Sequence, residues 1–525
     1  QREHGGHDSD ETERAASRGV DSLKRRLANP AVRVTLDKAR CGPYGPPVDD
    51  SSARTAPAPV LLVRFAARVG AQYGVRDDAA MRPFLVEWRD KFVGKAALIL
   101  RPGSVEEIAA ILKLANETRT AIVPQGGNTG LVGGQIPFER GDEIVLSLGR
   151  LNKIERVDTR GNILTAQAGC TLASIQQAAD AVDRLFPLSL GSEGTCQIGG
   201  NLSTNAGGTA VLAYGNARDL VLGLQVVLAD GRIWDGRRAL RKDNTGYDLK
   251  QLFVGSEGTL GIITGAVLKL FPKPRSVETA FVALPNPAAA VELFHRAQDL
   301  FGRAVTSFEI MPQIGMEFAA RHIPGARAPF AAPSPWYVLL EISSGETTEH
   351  MRPRLEALLG AAIEDELVID AVLANALAQA QDFWRLRTGL SEVQKHEGGS
   401  IKHDISVPVS AIPTFLEEGA ALIERLIPGA RPVPFGHLGD GNLHYNISQP
   451  VGADKQAFLD RWEEVNEAVH ALVTQHKGSI SAEHGIGRLK RDLLPGVKSA
   501  VEMDLMRSLK RTLDPNNILN PGKVL

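Results

Sequence analysis

Ala121-Ile122-Val123-Pro124-Gln125-Gly126-Gly127-Asn128-Thr129-Gly130 is the stretch on which the fold turns. A short apolar run with β-branched residues passes directly into a turn rich in glycine, which reads as a strand delivering a loop. Upstream, Ala97-Leu98-Ile99-Leu100 reads as another strand, stopped by Arg101-Pro102-Gly103. Ser104 with Glu107 makes a capping box, and Ile108, Ile111 and Leu112 lay a helical stripe behind it. Strand, helix and strand thus carry a glycine loop to a strand end, where nucleotides commonly bind.

Two more segments share this character. Segments 124–134, 191–208 and 255–261 all concentrate backbone donors on small residues. They hold Gly191, Ser192, Gly199, Gly200, Asn201, Thr204, Asn205, Gly207, Glu257 and Gly258, with Ile262 and Ile263 opening the strand after the third. Exposed N–H groups of this kind wrap a pyrophosphate. The chain has neither the dinucleotide Gly-x-Gly-x-x-Gly turn in its proper context nor the Gly-Lys-Ser/Thr ending of a triphosphate loop. A cofactor with two phosphates and a large ring system, spread over three loops, suits the pattern better than ATP. The alternative is that the glycines only make tight turns. Gly191-Ser192-Glu193-Gly194-Thr195 recurs as Gly255-Ser256-Glu257-Gly258-Thr259, which reads as two similar ligand turns.

At 525 residues the chain calls for two or more domains. We expect an α+β protein. Residues 1–60 lack hydrophobic periodicity and read as a disordered extension. Residues 61–275 form the glycine-loop domain, and Pro272-Lys273-Pro274 marks its end. Residues 276–478 mix strands with longer helices, among them an amphipathic helix from Asp365 to His396, and residues 479–525 form a C-terminal segment. A net charge of −2 gathers neither nucleic acid nor anionic membrane, and three cysteines are too few for a disulfide framework. No apolar run approaches the roughly 20 residues that cross a bilayer. Early acids (Glu3, Asp8, Asp10, Glu11, Glu13) argue against a mitochondrial presequence, so a cytoplasmic location is favoured, or the mitochondrial matrix in a eukaryote.

Phe435-Gly-His-Leu-Gly-Asp-Gly-Asn-Leu-His-Tyr-Asn446 carries the chemistry. Asp440-Gly441 is a two-residue hairpin signal. That loop would pair 437 with 444, standing His437 and His444 on one face with Cβ atoms about 4.5–5.5 Å apart. Leu438 and Leu443 would then pair on the other face, while Asn446 shares the histidine face. Glu483, after the strand-like Gly478–Ala482, supplies the carboxylate that an open catalytic metal site needs. Taken alone, each histidine reads better as a hydrogen-bonded structural residue and Glu483 as a solvated acid. As a set they bind one divalent ion, with zinc the leading choice and Mn²⁺ or Co²⁺ open.

Arg387 and Ser391 lie four apart on the expected helix, and Trp384 sits one turn earlier. Ser400–Val407 alternates as a strand, with Lys402, Asp404 and Ser406 on one side. Arg387 and Lys402 therefore become two cations facing one cavity, unless each simply faces solvent.

Pro124–Gly130, Gly199–Gly208 and Gly255–Gly261 together resemble the FAD-binding domain of vanillyl-alcohol-oxidase-type flavoproteins. Within that superfamily the chain is similar to the D-2-hydroxyacid dehydrogenases, from about residue 70 through Asp514–Lys523. The resemblance implies a two-subdomain FAD-binding domain, an α+β substrate or cap domain and a C-terminal helical segment that packs back on the first. It implies FAD contacts from Pro124, Gln125, Gly126, Gly127, Asn128, Thr129, Gly130 and Leu131, from the loop residues named above, and from Asn520. Relatives that attach FAD covalently often carry His where Asn128 stands, so non-covalent FAD is expected. The motifs matching His437, His444 and Glu483 bind the metal, and the match to His484 is the base. His484 would take the hydroxyl proton while hydride passes to the flavin, or would only orient Glu483. Arg387, Ser391 and Lys402 match a site for a distal carboxylate, which points to D-2-hydroxyglutarate or D-malate, with D-lactate and glycolate the alternatives. An electron-transfer flavoprotein or a quinone is the implied acceptor. Readings of another class are a zinc hydrolase and a non-catalytic flavin-binding subunit.

Overall fold

The first sheet runs in the order β1-β2-β4-β3, from β1 (Gly74–Val75), β2 (Leu98–Leu100), β3 (Ala121–Gln125) and β4 (Glu143–Ser147). The last three are parallel, and β1 adds an antiparallel edge. Leu98 and Leu100 face one core with Ile122, Ile144 and Leu146, whereas Ile99, Val123 and Val145 face the other. Parallel strands buried on both faces are continuously apolar for this reason. Helix α1 (Val105–Thr118) covers the first face and begins at the Ser104 cap that the sequence predicts, but the reciprocal half of the capping box reaches one residue further back, to Gly103 rather than Ser104. Ser104 Oγ accepts from Glu107 N at 3.2 Å, while Glu107 Oε2 accepts from Gly103 N at 2.7 Å. The computed structural model describes residues 54–525, so the expected extension lies outside the described residues as far as residue 53.

The second sheet is antiparallel in the order β5-β6-β9-β7-β8, from β5 (Ile154–Asp158), β6 (Ile163–Gln167), β7 (Val221–Val227), β8 (Ile233–Asp235) and β9 (Ile262–Lys269). The glycine loops interrupt and follow these strands, and the short helix α2 (Ile198–Ser203) lies between them.

The third sheet has eight strands: β10 (Ser276–Leu284), β11 (Val305–Pro312), β12 (Trp336–Ser344), β13 (Asp370–Leu373), β14 (Ser400–Ile401), β15 (Ile405–Ser406), β16 (Arg431–His437) and β17 (Asn442–Ser448). Their order is β13-β10-β12-β11-β16-β17-β14, with β15 also on β17. Alternation splits each strand between two cores. Ala280, Val282, Phe308 and Ile310 join one, and Phe281, Ala283 and Met311 the other. The second core is closed by helix α3 (Leu377–Val393) through Phe383, Leu386, Leu390 and Val393.

Three local expectations are corrected here. The helix expected over 365–396 is shortened: a separate helix ends at Glu364, β13 takes Asp370–Leu373, and α3 begins only at Leu377 and ends at Val393. Asp370–Leu373 goes to the sheet because it can pair with the edge of β10. The strand expected over 400–407 breaks at Lys402–Asp404, where His403 and Asp404 turn into buried positions. Gly478–Ala482 forms one bridge, Ser406 to Ser479, rather than a strand.

Candidate active site

The hairpin of β16 and β17 exists, but its loop is four residues long. Leu438–Asp440 make one 3-10 turn, and Gly441 closes it in the left-handed region at φ +86°. His437 consequently pairs with Asn442, and His444 with Phe435. Leu443 pairs with Gly436, while Leu438 sits in the turn. Two residues of slip preserve the face, because strand side chains alternate with period two. His437 and His444 thus remain neighbours on a diagonal, ring centroids 5.8 Å apart and edge to face.

Glu483 reaches the same point from the C-terminal segment. One donor atom each from His437, His444 and Glu483 lie within 4.8 Å of one another, with His437 Nε2 3.7 Å from Glu483 Oε1. Two imidazoles and a carboxylate at this spacing fit one divalent cation with positions to spare. Gly207 packs against this acid, and a Cβ there would come within 2.9 Å of Glu483 Oε1 and push the carboxylate aside. Asp404 holds the segment in place: its Oδ2 accepts from Glu483 N at 3.0 Å and His484 N at 2.9 Å. Its Oδ1 accepts from Asn442 Nδ2 at 3.0 Å, and His484 Nδ1 lies 3.5 Å from Oδ2.

Charge states follow from burial and partners. Burial pushes the Glu483 carboxyl up to about 7 and pulls His444 down to about 3. Burial also lowers His484, which leaves a neutral imidazole near pH 7. Burial opposes a charge on His437 too, yet the Glu309 carboxylate raises it to about 9. Burial would raise Asp404, but His484, Lys490 and His444 hold it well below the carboxylate range.

Glu309 is the residue that sequence reasoning missed. It lies directly opposite His437 in the pairing of β11 with β16, fully buried. Oε1 meets His437 Nδ1 at 2.6 Å, and Oε2 meets both Nε and Nη2 of Arg387 at 2.7 Å. The only local signal was an acid inside the apolar run of β11. Arg387 is therefore not the free cation expected beside Lys402: it is buried, paired, and stacked 4.9 Å over the Phe435 ring. Lys402 is exposed and donates from Nζ to Ser391 O at 2.7 Å. Trp384, expected to wall the pocket, gives its Nε1–H to Glu341 Oε2 at 2.8 Å. Asn446 is buried on β17, on the face of His444.

The glycine segments converge. A Cβ at Gly127 would lie 2.0 Å from Thr195 O, and one at Gly258 would lie 2.5 Å from the Pro124 ring. Gly126 faces Gln197 and Gly200 N. Asn520 Nδ2 donates to Gly134 O and Glu257 O, both at 2.9 Å. Gly191 and Gly200 look onto open space, and Asn128 Oδ1, Gln197 Oε1 and Asn520 Oδ1 are buried acceptors without a partner. Open glycine faces beside unpartnered acceptors fit a bulky ligand that carries its own donors.

Several expected cofactor contacts are occupied by the protein itself. Asn128 Nδ2 donates to Pro83 O and Val86 O, and Gln125 Nε2 to Phe84 O and Gln135 O. Asn205 Oδ1 accepts from Arg218 N, and Thr204 Oγ1 donates to Gly200 O. Ile262 and Ile263 are core residues of β9. The repeated pentads also differ: Glu193 is exposed, while Glu257 Oε1 and Oε2 accept from Ile486 N at 2.7 Å and Gly487 N at 2.8 Å.

Comparison with known proteins accounts for this arrangement. The family described as FAD binding domain matches residues 96–237, and the C-terminal domain of FAD linked oxidases matches 273–524. The mitochondrial D-2-hydroxyglutarate dehydrogenase of Arabidopsis thaliana is 40% identical over 457 residues, covering 87% of this chain and 80% of that protein. This chain belongs to the FAD-linked D-2-hydroxyglutarate dehydrogenase family. A family member from Xanthomonas citri pv. viticola, named D-2-hydroxyglutarate dehydrogenase, is 39% identical over 83% of this chain and 91% of its own. The solved p-cresol methylhydroxylase with substrate bound superposes with a TM-score of 0.68 at 16% identity, covering 89% of this chain and 96% of that one. That likeness establishes the vanillyl-alcohol-oxidase-type fold. As a member of this family the chain is an FAD-dependent oxidoreductase, which displaces the zinc-hydrolase reading. Among the described residues no helix is long and apolar enough to cross a membrane.

Proposed function

We propose that this enzyme oxidises a dicarboxylic D-2-hydroxy acid, D-2-hydroxyglutarate foremost, to the 2-oxo acid. One observation carries the reading: hydrogen bonds run from His437 through Glu309 to Arg387, and one turn further along α3 Lys402 Nζ meets the backbone carbonyl of Ser391. It sets a candidate metal site at one end and cationic side chains at the other, as a substrate with two carboxylates requires. The names of the relatives support the same substrate.

When bound, FAD would supply a hydride acceptor and a divalent cation would supply Lewis-acid polarisation of the substrate hydroxyl. His437 Nε2, His444 and Glu483 would hold the cation, and Asn446 lies on the same strand face as His444. Asp404 beside His484 Nδ1 favours the tautomer with Nε2 unprotonated, so His484 takes the hydroxyl proton. Lys402, the Ser391 hydroxyl and Arg387 Nη1, the one guanidinium nitrogen turned away from Glu309, bind the distal carboxylate. The glycine loops would hold FAD, with Asn128 rather than a histidine at the expected attachment position and hence no covalent bond. Reoxidation falls to an electron-transfer flavoprotein or a quinone.

Stopped-flow reduction of the bound flavin tests this. D-2-hydroxyglutarate should bleach it faster at low concentration than D-malate, D-lactate or glycolate, and a chelator should abolish the reaction. Equal efficiency with D-lactate overturns the dicarboxylate assignment. Unchanged rates after metal removal overturn the role of His437, His444 and Glu483 as ligands. Failure of every D-2-hydroxy acid leaves the non-catalytic flavin subunit.

A further inference from the structure

We propose that Glu309 is a positioning residue that couples the metal end of the site to its carboxylate end, an inference that rests on the reading above. Its carboxylate is fully buried and has two partners of different function. Oε1 takes the Nδ1–H of His437, which fixes the ring and points Nε2 towards Glu483, so that Nε2 is the nitrogen that gives up its proton when a metal binds. Carboxylates in this position orient metal-binding imidazoles and raise their basicity. Oε2 takes Nε and Nη2 of Arg387, which fixes the guanidinium plane over Phe435 and turns Nη1 away.

Neither partner can move alone. β11 and β16 are paired at Glu309 and His437, so the backbone holds the carboxylate opposite the imidazole. Arg387 projects from α3, whose Phe383, Leu386 and Leu390 are locked in the core on the same face. A shift of Arg387 towards a substrate carboxylate is felt by Oε2 and passed to Oε1, hence to the basicity of His437. Metal and distal carboxylate should therefore strengthen each other's binding, by reciprocity of coupled equilibria.

The test uses the full-length holoenzyme, stripped of metal, with Zn²⁺ affinity read by competition against a chromophoric chelator. Glu309→Gln should weaken Zn²⁺ by about 10–100-fold, the range for losing a carboxylate behind a ligating histidine. Arg387→Lys does not touch His437. It should nevertheless weaken Zn²⁺ by at least about threefold, as expected for residues sharing one ion-pair network, and raise KM for D-2-hydroxyglutarate more than it lowers kcat. Retained flavin absorbance reports folding; should Glu309→Gln lose its flavin, Arg387→Lys carries the test. Zn²⁺ affinity within twofold of wild type in Arg387→Lys overturns the coupling, whatever Glu309→Gln does. A wild-type enzyme that binds no Zn²⁺ sinks the metal reading and this inference together, an outcome distinct from tight binding that ignores both substitutions.

Discussion

On the proposed reading Lys402 sets substrate choice, because a cation helps only a substrate with a second carboxylate. A hydrogen bond to a charged group contributes about 1.5–3 kcal/mol, so Lys402→Ala should raise KM for D-2-hydroxyglutarate by roughly tenfold or more and leave D-lactate nearly unchanged. A parallel rise for both acids would remove Lys402 from the carboxylate site. His484 is separable from the metal. His484→Ala should lower kcat by about 10²–10⁴, the usual range for a general base, while Zn²⁺ affinity stays near wild type. Loss of Zn²⁺ with loss of turnover would assign His484 to orienting Glu483. Glu257 offers a pH test away from the ligands. Burial raises its carboxyl to about 7 from an ordinary 4.5, so the folded state holds the proton more tightly than the unfolded chain. That contribution is fully present below about pH 4.5 and is lost as pH rises through about 7. The melting temperature of wild type, measured against Glu257→Gln, should therefore fall across this window. A difference that is flat with pH would show that Glu257 does not titrate there.

The β16–β17 hairpin shows how an element can be legible while its register is not. Gly441 is held at φ +86°, and a Cβ there would sit 2.1 Å from Val407 O, a backbone atom that cannot swing away. Gly441→Ala should cost at least about 1–2 kcal/mol, the usual penalty for left-handed backbone, and should weaken Zn²⁺ binding by displacing His437. A stable variant with unchanged Zn²⁺ affinity would mean that the turn does not set the ligand spacing. Asp440-Gly441 signalled the reversal correctly. The extra 3-10 turn at Leu438–Asp440 was invisible, because it is selected by packing of Leu438 in the core and of Gly441 on Val407. The histidine face survived the error only because the slip was even. Glycine segments and α1 were readable since their signals are local, as with Ser104 and Glu107. Glu309 was not: its partners lie 78 and 128 residues away, and nothing in the run around it names them.

At the scale of the whole chain, the C-terminal segment joins elements distant in sequence. Ile122 N donates to Ile518 O and Asn520 N to Ile122 O, each at 2.8 Å, so the tail lies along β3. Lys510 Nζ binds Thr259 O, Leu519 O and Asp514 Oδ2, spending all three of its donors. Two residues from the end, Lys523 Nζ meets Glu143 Oε1 at 2.9 Å with both side chains fully buried. Such a pair is weak evidence of net stabilisation, because desolvation offsets the attraction, but breaking one side leaves an uncompensated charge. Lys523→Met should therefore destabilise the protein by about 3–5 kcal/mol. Denaturant unfolding of the FAD-loaded enzyme reads that loss, and flavin should dissociate earlier because Asn520 anchors Gly134 and Glu257. Adding Glu143→Gln removes the stranded charge while keeping an acceptor for Phe138 N, which Glu143 Oε2 now serves. The double variant should recover most of the stability. If the single variant unfolds within about 1 kcal/mol of wild type, surface-like in magnitude, the tail is an appendage rather than the clasp holding Glu483 and His484 against the glycine loops.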